Sequence, residues 1–276
     1  MSDIELSIII LNYRTKGLLK QCIRGIEQSQ VSITHEVIVV DNKSGDSSVS
    51  MVKSNFDNVR LIEADKNRGY AAGNNIGIKE ARGKFILIIN PDIAIFKGAV
   101  EAMVSYMNNN EKVAVIGPKL INPDGSTQIS CYRFPTYMTP IYRRTPIGKL
   151  PKAKKNLKQY LMSDWHRNEN KQVDWVLGAC MLVRKSAIDK VGLMDERYFL
   201  YFEDIDWCRR FWKEGYQVHY LADVDLVHYH QRQSAESPGF KGVFSWATRV
   251  HIASAIKYFA KYLGEKEPKI NDNVEK

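Results

Sequence analysis

Cysteine is scarce: Cys22, Cys131, Cys180 and Cys208 are scattered through 276 residues with no metal-type spacing. That scarcity excludes a disulfide framework and a thiolate zinc site, and it fits a reducing cytoplasm. Long apolar runs are also missing. The longest, at 6–11 and 85–89, fall far short of the roughly 20 residues that span a bilayer. The opening MSDIELSIIILNYR has no basic leader before its apolar run, so it reads as the first strand of a mature fold and not as a signal peptide. Acid is absent from residues 141–160, which carry seven basic side chains and contribute to an overall charge of +9. The excess lies in the second half: 24 basic against 17 acidic residues over 141–276, compared with 16 against 14 over 1–140. Such a cluster is either a solvated loop or an attractor of polyanions, meaning diphosphates or anionic lipid. No nucleic-acid motif accompanies it, so nucleic acid is not an expected partner.

What is present is alternation. Short β-rich runs at 5–11, 35–40, 59–63, 85–89 and 113–117 are separated by helical patterns at 16–28, 47–56, 71–81 and 98–108. This order predicts an α/β fold with a mainly parallel sheet and helices on both faces. Ligands of such sheets sit beyond the carboxyl ends of the strands, where Asn12, Asp41 and Asp92 should converge. Residues 122–171, rich in Pro, Gly, Lys and aromatics, read as an excursion or flexible lid. Regular structure should return at 173–183, with a short helix from Ser186 and another over 201–215. Residues 240–263 form an amphipathic pattern with Val250, Ala253, Ile256, Phe259, Ala260 and Leu263 on one side, joined by Val243 and Ala247. The tail beyond Gly264 is polar and reads as disordered.

Four places have the residue types that chemistry needs. In KFILIINPDIAIF, Pro91 cannot donate to a central ladder, so pairing ends there and Asp92 is held at the open end of the sheet. A carboxylate in that position suits a hard divalent cation, although a plain turn has the same sequence. Asp41 closes an earlier strand, as a ribose ligand or as a helix cap. In DKNRGYAAGNNIGIKEARG, Gly69, Gly73 and Gly77 recur every fourth residue beside Asn67, Asn74 and Asn75, a pattern for close helix packing or for a phosphate at a helix start. In YFLYFEDIDWCRR, Glu203, Asp204 and Asp206 crowd against aromatics, which should raise a carboxylate pKa toward that of a general base. Those acids equally suit a helix N-terminus. His228 and His230 alternate along VDLVHYHQRQS, as metal ligands or as structural strand residues.

Taken in order, SIIILNYR, HEVIVVDNKSGDSS, NRGYAAGNNIGI, LIINPD, GACMLVRKSAIDKVGLMDERYFLYFEDIDWCRR and LVHYHQRQS resemble family 2 of the inverting glycosyltransferases, which have the GT-A fold. The closest likeness is to bacterial rhamnosyltransferases and galactofuranosyltransferases of surface polysaccharides. The resemblance implies one continuous domain: a nucleotide-sugar half over 1–125, then an acceptor half over 126–264 with a basic lid at about 135–172, before a tail at 265–276. It implies Asp204 as catalytic base, and Asn12, Arg14, Asp41, Asn67, Gly69, Asn75 and Asp92 on the donor side. Trp175, Gly178, Ala179 and Glu203 would line the acceptor side, with Asp92 and His228 holding Mg²⁺ or Mn²⁺. Asn90 stands where the family has its first metal-site Asp, leaving less anionic help. The implied donor is dTDP-L-rhamnose, with UDP-sugars next. The implied acceptor is a saccharide on polyprenyl diphosphate at the cytoplasmic membrane face, which brings anionic lipid and a homodimer into view as partners. Lys152, Lys154, Lys155 and Lys158 would meet the headgroups. A nucleotidyltransferase and a non-catalytic sugar-nucleotide binder are the competing classes. The first needs a glycine- and basic-rich loop after strand one, for which LNYRTKG is a poor match.

Overall fold

A computed structural model describes residues 4–229 and 245–268. The first strand, β1 (Leu6–Asn12), is buried along its whole length. Its alternate side chains enter two different cores, as a period of two requires. Leu6, Ile8 and Ile10 pack with Leu19, Cys22 and Ile23 of α1 (Lys16–Ser29). Ile9 and Leu11 pack with Ala71 and Ile78 of α3 (Gly69–Glu80) on the other face. Each fully buried aliphatic side chain contributes about 1.5–3 kcal/mol.

Parallel partners extend the sheet from β1: β2 (His35–Asp41), β3 (Val59–Glu63) beyond it, and β4 (Phe85–Ile89) on the opposite side. The helices α2 (Ser48–Asn55) and α4 (Ala99–Asn109) join α1 on one face. The second half then completes the same sheet. Strand β10 (Cys180–Arg184) lies antiparallel between β4 and β6 (Val113–Ile121), and β11 (Gln217–His228) runs parallel to β6. The order is β3-β2-β1-β4-β10-β6-β11-β5, where β5 (Ile93–Ala94) is the far edge. The expected mainly parallel sheet with helices on both faces is therefore present.

The route from β4 to β5 explains why the apolar run resumes after Pro91. Strand β4 ends at the centre of the sheet, the chain turns through Asn90-Pro91-Asp92, and β5 re-enters beside β11 with Ile93 opposite His228. The turn is tied at both ends, by Asn90 N–H donating to Ala179 O at 2.9 Å and Tyr229 N–H donating to Asp92 O at 2.9 Å.

The excursion between β6 and β10 is more ordered than its composition predicts. It has α5 (Thr139–Arg144), a 3-10 turn at Pro146–Lys149 and α6 (Pro151–Tyr160), with β8 (Lys171–Gln172) pairing to β11. A second, two-stranded sheet joins β7 (Cys131–Tyr132) to β9 (Trp175–Val176), where Tyr132 stacks on Trp175 at 4.4 Å and on Tyr160 at 5.3 Å. Aromatic stacking supplies the order that Pro and Gly obscure in the sequence. Two helices, α7 (Lys185–Val191) and α8 (Glu203–Lys213), precede β11, and α9 (Trp246–Lys261) follows it. The pattern at 240–244, His230 and the tail at 269–276 lie outside the described residues.

Candidate active site

The rim at the carboxyl ends of β1 and β2 is held together by side chains. Asn12 and Asp41 are register partners and both are buried. Asn12 Nδ2 donates to Asp41 Oδ1 at 2.9 Å and to Ser44 Oγ at 3.0 Å, while Ser44 donates its own N–H and hydroxyl to the Asp41 carboxylate. Asp41 and Asn12 thus close the 41–44 turn, and the exposed pair Tyr13 and Arg14 stands on top of it. Arg14 takes a left-handed backbone (φ 57°), fixed by its N–H on Ser44 Oγ and its Nε on Ser44 O. Asn67 sits beside this turn. Its Oδ1 accepts from Asn42 Nδ2 at 3.0 Å and from Gly69 N–H at 2.9 Å, capping the start of α3.

The glycine spacing serves packing. A Cβ on Gly73 would lie 2.5 Å from Leu11 Cδ1, and one on Gly77 2.7 Å from Ile9 Cγ2. Gly69 has φ +85°, and a Cβ there would strike the carbonyl of Phe199, which also accepts from Tyr70 N–H at 2.7 Å. Helix α3 is therefore pressed between the sheet and the loop leading into α8. Asn75 belongs to the same contact. It is 1% exposed, and its amide bonds Met194 N–H, Met194 O and Glu196. The structure places it in the interior, with its amide held by these partners. Trp175 is likewise interior, stacked on Tyr132 with its indole N–H on Arg133 O, and offers no ring face to an acceptor.

On the other side of the rim, α8 begins with Glu203 and Asp204, both buried. Two left-handed residues, Tyr201 (φ 68°) and Phe202 (φ 70°), turn the chain so that these acids point inward. Asp204 Oδ2 accepts from Gly178 N–H at 3.0 Å, and Oδ1 accepts from Ile205 N–H at 2.9 Å. Burial raises its pKa to about 6 against those two bonds. Glu203 is pushed well above the usual carboxylate range by burial and by the charge of Asp204, and its Oε2 has no hydrogen-bond partner. Of the two, Glu203 is the one more strongly driven toward its neutral form, and Asp204 is the one held by backbone donors. Tyr70 OH donates to Gly178 O at 2.5 Å, and burial, Glu203 and Asp204 all hold its proton in place.

Gly178 and Ala179 form the bridge between the two sides. Gly178 N–H holds Asp204, and the next carbonyl, Ala179 O, holds Asn90 N–H at the turn that presents Asp92. Asp204 and Asp92 therefore share one rim. Asp92 Oδ1 is buried, accepts no hydrogen bond, and lies 3.3 Å from His228 Nε2. His228 Nδ1 meets Gln128 Oε1 at 2.8 Å. If Nδ1–H donates to that oxygen, Nε2 is left to face the Asp92 carboxylate with its lone pair. A cation between them resolves that conflict, and ligands about 2.1 Å from Mg²⁺ on adjacent octahedral corners are about 3 Å apart. Asp92 and His228 fit a divalent ion, though among the described residues no third His, Cys, Asp or Glu joins them.

Gln128, Tyr70, Ser44 and Asn42 were not legible as site residues. Tyr70 lies within a quoted motif, but its partner Gly178 is 108 residues away, and only the fold brings them together.

Comparison with known proteins agrees with this arrangement. The model of Glycosyl transferase family 2 matches residues 7–192. The low-salt glycan biosynthesis hexosyltransferase Agl10 of Haloferax volcanii is 29% identical over 228 residues, 81% of this chain and 67% of that one. The N-acetylglucosaminyl-diphospho-decaprenol L-rhamnosyltransferase of Mycobacterium tuberculosis is 27% identical over 73% of this chain and 69% of its own length. Among solved structures, GalNAc-T7 with UDP, GalNAc and Mn²⁺ superposes with a TM-score of 0.61 at 13% identity, over 83% of this chain and 44% of that one. That likeness identifies the fold as GT-A. With the family model spanning most of the sheet and both turns of the rim, the chain belongs to glycosyl transferase family 2.

Proposed function

We propose that this protein is a metal-dependent inverting glycosyltransferase that moves L-rhamnose from dTDP-L-rhamnose to a saccharide acceptor carried on polyprenyl diphosphate. It would act at the cytoplasmic face of a membrane, in surface-polysaccharide synthesis. The observation that carries the reading is the pairing of Asp204 with Gly178 N–H on the rim that also holds Asp92. An acid with a raised pKa, fixed in orientation by two backbone N–H donors, suits removal of a hydroxyl proton as the acceptor attacks. The decaprenol-linked substrate in the name of the mycobacterial relative supports a lipid-linked acceptor.

On the donor side, Tyr13 and Arg14 meet the nucleotide, and Asp41, Asn12 and Ser44 hold the turn that carries them. Asp92 and His228 would hold Mg²⁺ or Mn²⁺, which when bound neutralises charge on the departing diphosphate. Gln128 fixes the ring orientation of His228, and Glu203 keeps its proton beside Asp204, limiting like-charge repulsion. Asp204 attacks no carbon; it accepts the acceptor proton on the face opposite the leaving group, which gives inversion. The reading is tested by incubating the protein with dTDP-L-rhamnose, Mn²⁺ and lipid-linked saccharide and following dTDP release. Release that requires acceptor and disappears in Asp204→Asn is expected. Donor binding with no acceptor-dependent release would reduce the protein to a binder.

A further inference from the structure

Helix α9 buries only part of the apolar side of its sequence pattern: Phe259 packs against the core and Ala247 and Val250 are half-buried. Its inward residues are Thr248, Ser254, Ala255 and Tyr258, followed by Tyr262, and most of them are polar at their tips. The reason is hydrogen bonding. Ser254 Oγ donates to Leu200 O at 2.9 Å, Arg209 donates to Tyr258 OH at 3.2 Å, and Tyr262 OH donates to the buried Asp206 at 2.9 Å. The aliphatic side chains are left outside: Ile252, Ile256 at 64% exposure and Leu263 at 75%.

A second helix lies antiparallel beside it. Tyr137, just before α5, packs its ring 4.6 Å from Phe259, while Arg144 at the end of α5 reaches Thr248 Oγ1 at 3.1 Å. The exposed side chains here are again apolar: Met138, Ile141, Ile147 and Leu150. Next to them, Lys149, Lys152, Lys154 and Lys155 are exposed along a segment without an acid.

We infer that the α5–α9 face is a docking surface for an anionic lipid bilayer, with the aliphatic side chains in the interface and the lysines over the headgroups. Apolar side chains beside a cationic border are the composition that such an interface selects. A second copy would bring the same cations, in a chain of net charge +9, against each other. An anionic surface neutralises them. The face also adjoins the site. Trp246 at the start of α9 meets Phe199 edge-on at 5.9 Å, and the carbonyl of Phe199 holds Tyr70, whose hydroxyl holds Gly178. Docking therefore brings the wall around Asp204 to the level of the membrane. This deepens the reading of a lipid-linked acceptor by naming the surface that meets its bilayer.

The test is co-sedimentation of the whole protein with vesicles, with no donor or acceptor present. We expect binding to phosphatidylcholine vesicles containing about 30% phosphatidylglycerol, and much weaker binding to phosphatidylcholine alone. Raising salt from about 0.1 M to about 0.5 M should weaken it. Ile252→Glu/Ile256→Glu should lower the partition coefficient at least about tenfold with unchanged Tm, because both residues are exposed. Lys149→Glu/Lys152→Glu/Lys155→Glu should give a loss of about a hundredfold or more on anionic vesicles only. Absent wild-type binding, or wild-type-like binding by the isoleucine variant, overturns the inference. So does a wild-type dimer that the isoleucine variant converts to a monomer while vesicle binding is unchanged, since the face then belongs to a second copy. Because the assay contains no donor, a failure of transfer chemistry leaves its result intact.

Discussion

At the scale of single residues, the site is a set of groups whose protonation is decided by burial. Asp204 carries a charge that the folded state disfavours, since its pKa is raised to about 6 by burial. A raised carboxylate pKa costs stability above that pH, and the cost shrinks as pH falls through it and is gone only below the ordinary carboxylate pKa of about 4. Asp204→Asn is therefore expected to lose about 10²–10⁴-fold in transfer rate. The same variant should gain on the order of 1–3 kcal/mol of stability at pH 7.5 and about half as much at pH 5. Thermal melts at both pH values, beside dTDP release, check the pair of outcomes. For the wild type, the rate should decline as pH drops below about 6, where the base is protonated. His228 has a simpler dependence. Removing the acceptor of its Nδ1 proton in Gln128→Leu frees the ring to turn, and the Mn²⁺ concentration giving half of the nucleotide-dependent thermal shift should rise about tenfold or more.

At the scale of elements, three backbone contacts position the chemistry: the 41–44 turn, the Asn90-Pro91-Asp92 turn and the loop into α8. The last is held from both sides, by α3 through Gly69 and by α9 through Asp206. The carboxylate of Asp206 is fully buried and accepts from Lys261 Nζ at 2.5 Å, Tyr262 OH at 2.9 Å and Arg210 Nε at 2.9 Å. Lys261→Met leaves that charge short of a partner and should cost about 3 kcal/mol, read as a shift in the denaturant midpoint. Gly69→Ala combines a left-handed backbone with a collision against the Phe199 carbonyl and should cost at least about 2 kcal/mol. If Gly69 served only to let a phosphate approach, that variant would melt like the wild type.

At the scale of the molecule, the two halves cannot be separated. Strand β10 comes from the second half and lies between β4 and β6 of the first, so a fragment ending at residue 125 leaves the centre of the sheet unpaired. Such a fragment should show no cooperative transition. The five tryptophans all lie at or beyond position 165, whereas helices and strands are spread over both halves. Fluorescence and far-ultraviolet dichroism of the whole chain should then report one coincident transition. Two separate midpoints would show that the halves are independent. Among the described residues no helix is long and apolar enough to cross a membrane.

Local patterning was enough to reveal β1 to β4 and β6, the helices between them and the position of Asp92, because burial on both faces and a proline stop are written in consecutive residues. The resemblance of six ordered motifs implied a base, Asp204, and a metal pair, Asp92 and His228. Only the tertiary structure decided how these residues are used. Asn75 and Trp175 turned inward because their polar atoms found backbone partners far along the chain. Helix α9 turned its hydroxyls inward for the same reason, since a buried carboxylate and a loop carbonyl accept from them, and Ile252, Ile256 and Leu263 stay exposed. Periodicity records which residues share a face. Where that face points depends on hydrogen-bond partners that the sequence keeps more than fifty positions apart.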